Sequence, residues 1–107
     1  MAQNKIKTTI VRPDRIIAKN LTLRESASRL FDILESYREQ RLIIDFSRIE
    51  FMSRSFADEY LERKEKTSKA IEEKNLPKNV KQMLEIVETS RAHHNNSVLP
   101  KVSPSYL

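Results

Sequence analysis

A chain of 107 residues with 38% apolar and 33% charged residues has the length of one domain, and its periodic segments exclude wholesale disorder. It has no cysteine and no glycine, so disulfides, thiolate metal sites and cysteine nucleophiles are excluded, as are the glycine-written phosphate and dinucleotide loops. The formal charge of +5 would favour anionic partners, but acids interleave with the bases throughout, so a solvated surface is expected ahead of nucleic-acid binding.

Lys5 to Val11 is rich in β-branched residues and predicts a first strand. Pro13-Asp14 signals a turn, and Arg15-Ile16-Ile17-Ala18 reads as a second extended piece that could complete an edge hairpin. Thr22 with Glu25 three residues on forms a capping-box signature. Behind it, Leu23, Ala27, Leu30, Phe31 and Leu34 recur at helical spacing, predicting a helix to about Tyr37 or Glu39. The uninterrupted run Leu42-Ile43-Ile44 predicts a strand covered on both faces. Asp45 follows, either at a binding crevice or as a turn residue accepting local amides.

Ile49 and Phe51 alternate with Glu50 and Met52 in a further brief extended piece. Next comes a polar corner in which either Ser53 or Ser55 could cap a helix, with Asp58 and Glu59 expected in its first turn. Phe56, Ala57, Tyr60 and Leu61 predict the buried side of that helix, and the pair Glu62 and Lys66 its exposed side. A short charged edge strand is expected over 70–75. Leu76-Pro77 introduces a last helix with Val80, Met83, Leu84 and Val87 buried, ending near His93 or His94. The pattern is that of an α/β domain, a small mixed sheet under about three helices, over 1–94, with a flexible tail over 95–107.

Sites with chemistry are scarce. Adjacent His93 and His94 point about 100° apart on a helix and have no third ligand, so no metal is expected. No serine is tied by its context to a histidine base, and no acid pair is marked for proton transfer. The expectation is a non-enzymatic protein without cofactors. No run is long enough to span a bilayer and no signal peptide is recognisable, so a soluble cytoplasmic chain with no membrane partner is expected.

The stretch Asp45-Phe46, Ile49, Phe51, Ser53, Ser55-Phe56-Ala57 and Glu59 resembles the signature of the STAS domain, named for sulfate transporters and anti-sigma-factor antagonists. It is closer still to a STAS-like subfamily of unassigned function. The likeness is specific over 42–61, looser over 75–87, and absent from the tail. It implies a small α/β module that regulates by docking to a protein, often a histidine-kinase-like ATPase of the anti-sigma type. In those antagonists the first serine of an Asp-Ser-Ser-Gly corner is phosphorylated to prevent docking. Here Ser53 stands for the aspartate, Arg54 for the phosphoacceptor and Phe56 for the glycine, leaving Ser55 as the one aligned serine. The resemblance thus implies partner binding by Asp45, Ser53, Arg54, Ser55, Phe56, Asp58 and Glu59, with Ser55 the candidate for phosphorylation. A basic nucleic-acid-associated protein is the alternative, and the reading leaves room for a homodimer.

Overall fold

The computed structural model describes residues 8–98, with side chains through residue 92. The elements in chain order are β1 (Thr8–Val11), α1 (Pro13–Ile16), β2 (Asn20–Leu21), α2 (Arg24–Ser36), β3 (Arg41–Asp45), β4 (Phe51–Met52), α3 (Arg54–Lys66), β5 (Ala70–Lys74) and α4 (Lys78–Val98). The fold is a small α/β arrangement, as the sequence pattern predicts. Its strands form a three-stranded sheet in the order β1-β3-β5 and a two-stranded sheet of β2 with β4. Every pairing among the described residues is parallel, which narrows the expected mixed sheet.

Parallel pairing follows from where the helices fall. α2 separates β1 from β3, and α3 separates β3 from β5, so each pair is joined by a crossover and not by a hairpin. The hairpin expected between 5–11 and 15–18 does not form. Pro13 instead occupies the first turn of a short helix, where its fixed φ suits the start, and Arg12 grips Asp14 through two bonds of 2.9 and 3.0 Å. Ile16 and Ile17 reach the core from that turn, so their β-branched character reflects burial and not extension.

In β3, Leu42 and Ile44 are fully buried while Ile43 is half-buried and Arg41 exposed. The apolar run is therefore covered on one face, contrary to the two-sided burial it predicts. Its neighbours at the level of Ile43 are Ile10 and Glu72, both exposed. The covered face joins one core with Leu30, Phe31 and Leu34 of α2, Phe56 and Tyr60 of α3, and Val80, Leu84 and Val87 of α4. Burial of each large side chain contributes about 1.5–3 kcal/mol before conformational entropy is subtracted.

Tyr60 is the hub of that core. Its ring meets Phe31 and Phe46 edge-on at 5.4 and 6.0 Å and stacks with Phe56 at 6.3 Å. Its hydroxyl donates to Glu73 Oε2 on β5 at 2.5 Å, and Lys64 reaches the same oxygen at 2.9 Å. Burial pushes the phenol well above its ordinary range, with the Glu73 charge adding to the effect.

α2 and α3 are clamped by Arg63, which lies 5.7 Å from the Phe31 ring centre and pairs with Asp32 at 3.0 Å. Beyond the C-terminal end of α2, Lys69 Nζ donates to the carbonyls of the C-cap Tyr37 and of Glu39 in the loop that follows, at 2.5 and 2.7 Å. The strand expected over 70–75 is β5, and the Glu62–Lys66 pair forms at 2.7 Å. α4 continues through Val98, past the expected stop at the histidines, and the remainder of the expected tail lies outside the described residues. No helix among the described residues is long and apolar enough to cross a membrane.

Candidate functional site: the strand–helix corner at Arg54

The corner is built by a parallel ladder. Glu50 N donates to Lys19 O, and Ser53 N donates to Leu21 O, both at 2.8 Å, on either side of the β2–β4 pairing. Ser53 then serves two elements at once. Its hydroxyl donates to Thr22 O at 2.7 Å and accepts from Phe56 N at 3.0 Å. Ser53, not Ser55, is therefore the cap of α3.

This bridge also explains a correction upstream. α2 begins at Arg24 with Leu23 as N-cap and no side-chain cap bond, so the Thr22–Glu25 capping box does not form. Thr22 lies one residue before that cap with its carbonyl engaged by Ser53, and Leu23, which would have to be the first helical residue if Thr22 were the cap, is itself extended at φ −100° and ψ 138°. Leu23 lies outside the buried stripe at 59% exposure. In β4 the parity also reverses: Met52 is buried, whereas Phe51 is 44% exposed.

The residues that sequence reasoning gathers here divide by environment. Phe56 is fully buried and supports the corner from beneath. Asp45 accepts from Asn75 Nδ2 at 3.1 Å and from Ser47 N at 2.9 Å, tying the ends of β3 and β5 together. Those contacts, Asn75 first, hold its carboxyl below the ordinary range against the opposing effect of burial, and the Arg12 charge helps. Asn75 carries a positive φ of 57°, a conformation asparagine tolerates and one usually given to glycine, which this chain lacks. Asp45 is thus the last residue of β3, and its carboxylate accepts the local amide of Ser47 as well as the Asn75 side chain.

Asp58 and Glu59 lie beyond the first turn of α3, which contains no acid. Glu59 faces α2, accepting from Ser28 Oγ at 3.0 Å and pairing with Arg24 at 3.3 Å. Asp58 lies between two arginines, Arg24 at 3.2 Å and Arg91 at 3.2 Å. Arg91 of α4 also reaches Glu62 at 3.1 Å and Glu65 at 3.3 Å. Burial works against the Arg91 charge, but Glu62 and Asp58 outweigh it and raise its pKa.

Arg54 and Ser55 are the two predicted residues left exposed. They border an open cleft of about 580 Å³, whose α3 wall continues through Asp58 and Glu62 and whose α4 wall is Val87, Ser90 and Arg91. Arg24, at the start of α2, also lines it. Sequence reasoning missed Arg24, Ser90 and Arg91, because their roles arise from packing α2 and α4 against α3 and leave no local motif. Among the described residues, no group of three or more His, Cys, Asp or Glu is arranged to hold a metal. The chain matches no family model, no curated protein and no solved structure.

Proposed function

We propose that the chain is a non-enzymatic STAS-like interaction module that regulates a protein partner, with a histidine-kinase-like ATPase or another anti-sigma-type regulator as the partner class. The observation that carries this reading is the corner itself: a strand delivers a rigidly capped helix whose first two residues, Arg54 and Ser55, face solvent beside a cleft. Asp58 and Glu59 brace that surface through their arginine contacts, while Phe56 and Ser53 hold it from below. The distribution of charge supports a protein partner over nucleic acid. At the cleft, Arg24 and Arg91 are engaged by carboxylates and Asp58 and Glu62 line the same walls, so this surface is of mixed sign and not a basic stripe.

A photo-reactive amino acid placed at Ser55 tests the reading in cells of the native host. The expected adduct contains an ATPase or regulator of that class and is missing when the reactive residue sits at exposed Ser36, at the far end of α2. Equal yields at the two positions, or none at Ser55, would sink the proposal.

A further inference from the structure

Among the described residues, one face of the β1-β3-β5 sheet has no cover. Successive residues of a strand point to opposite faces. The register aligns Thr8, Arg41 and Ala70 at one level, and Ile10, Ile43 and Glu72 two residues further on. Val11, Leu42 and Ile44, on the opposite face, are buried in the core, whereas none of these six is buried. Ile10 is 61% exposed, the most of any large apolar side chain among the described residues, and it pairs with Ile43 in the register. Wholly parallel sheets occur almost only where helices cover both faces. Here the two crossover helices, α2 and α3, bury their apolar residues in the same core and so lie on the same side. The sheet is one layer short, while the run Leu42-Ile43-Ile44 is apolar toward both sides.

We infer that this face receives an amphipathic helix of a partner protein. Its apolar stripe lies on Ile10 and Ile43, and its flanks carry charges opposite to Arg41 and Glu72. Size selects that occupant. Three strands of four or five residues present a face of about 10 by 15 Å, roughly 150 Å². A stable dimer buries about 800 Å² on each partner, so a second copy stacked on this face falls far short. One helix is about 10 Å across and spans about 15 Å in ten residues, which matches. Thr8, Arg41, Ile43, Ala70 and Glu72 also line a depression of about 170 Å³, a seat for one side chain of that helix. A contact of this size is weak and transient. The inference goes beyond the corner at Arg54 and does not depend on it.

A photo-reactive amino acid at Thr8, in cells of the native host, tests this, with the captured segment sequenced. That segment, made as a synthetic peptide, is then titrated into the full-length ¹⁵N-labelled chain. Its sequence should carry apolar residues at helical spacing. Binding should shift amides of β1, β3 and β5 and raise the helical circular dichroism of the peptide. Ile10→Glu should weaken binding by about tenfold or more, the scale of burying one isoleucine. Ile86→Glu, at an exposed isoleucine of α4, should leave it unchanged. The inference is overturned by no adduct, by equal losses in the two variants, or by a captured segment that binds as an extended strand on the edge of β1. An adduct within this chain, to residues 1–7 or to a second copy, overturns it as well. Thr8 and Ser55 report separate surfaces, so an adduct at one without the other decides between this inference and the corner reading.

Discussion

The starts of α2 and α3 lie side by side and are built differently. α2 has the better capping signature in its sequence, Thr22 with Glu25, yet begins at Arg24 without a side-chain cap. α3 has a plainer signature and is capped by Ser53. The difference lies in the ladder between them: Ser53 N donates to Leu21 O and Ser53 Oγ to Thr22 O, which seats Ser53 directly before α3 with its hydroxyl at Phe56 N, whereas α2 starts one residue beyond Thr22, after the extended Leu23. A capping motif states what a side chain can do, and tertiary pairing decides which of two candidates does it.

Removing the support beneath the better-built start should have the largest effect. Phe56→Ala empties a fully buried site against Tyr60, and a loss of about 3–5 kcal/mol in unfolding free energy is expected, measured by urea denaturation. Ser53→Ala should cost less, about 1–2 kcal/mol, because it removes the cap from Phe56 N and the donor to Thr22 O in one change. A loss confined to a few tenths of a kcal/mol would show that the two starts are not coupled through this hydroxyl.

Acid tests the tie between β3 and β5 that lies outside both starts. Contacts hold Asp45 below its ordinary pKa in the folded chain, so its stabilising contribution is complete above the unfolded value near ~3.9 and is lost as pH falls through the folded one. Asp14, held low by Arg12, and Glu62, held low by Lys66, act in the same direction. Thermal melts should show the transition temperature falling between about pH 5 and pH 2, with a shallower fall in Asp45→Asn. An unchanged slope in that variant would remove Asp45 from the acid response.

Much of this was legible before any coordinates. The buried stripe of α2 from Ala27 to Leu34, the Phe56–Leu61 face of α3, the charged strand β5 and the apolar stripe of α4 follow from periodicity alone, because burial on one side imposes it. The misses share a cause. Ile16 and Ile17 are β-branched for packing, Leu42-Ile43-Ile44 is apolar without two-sided cover, and Thr22 is diverted by a ladder formed with residues about thirty positions away. At the site, Arg54 and Ser55 could be found from their own neighbourhood. Arg24 and Arg91 could not, since the acids they meet lie on another helix.

The smallest effects discriminate best between the two starts. Arg54→Glu replaces a cation by an anion at the positive pole of α3, so stability should rise by about 0.3–1 kcal/mol while crosslinking to the partner from Ser55 falls. Such opposition is expected where a residue is kept for binding at the expense of its helix. Thr22→Ala should do almost nothing, within about 0.5 kcal/mol, because the Thr22 contact that matters is its carbonyl, which alanine retains. If Thr22→Ala instead cost the full kcal/mol or so of a lost cap, its hydroxyl would be capping α2 in solution. α2 would then have to begin one residue earlier for part of the time, with the Thr22 carbonyl accepting its first helical bond beside the Ser53 hydroxyl. The coupling of the two starts, and with it the rigidity of the surface at Arg54 and Ser55, would be weaker than the 2.7 Å contact implies.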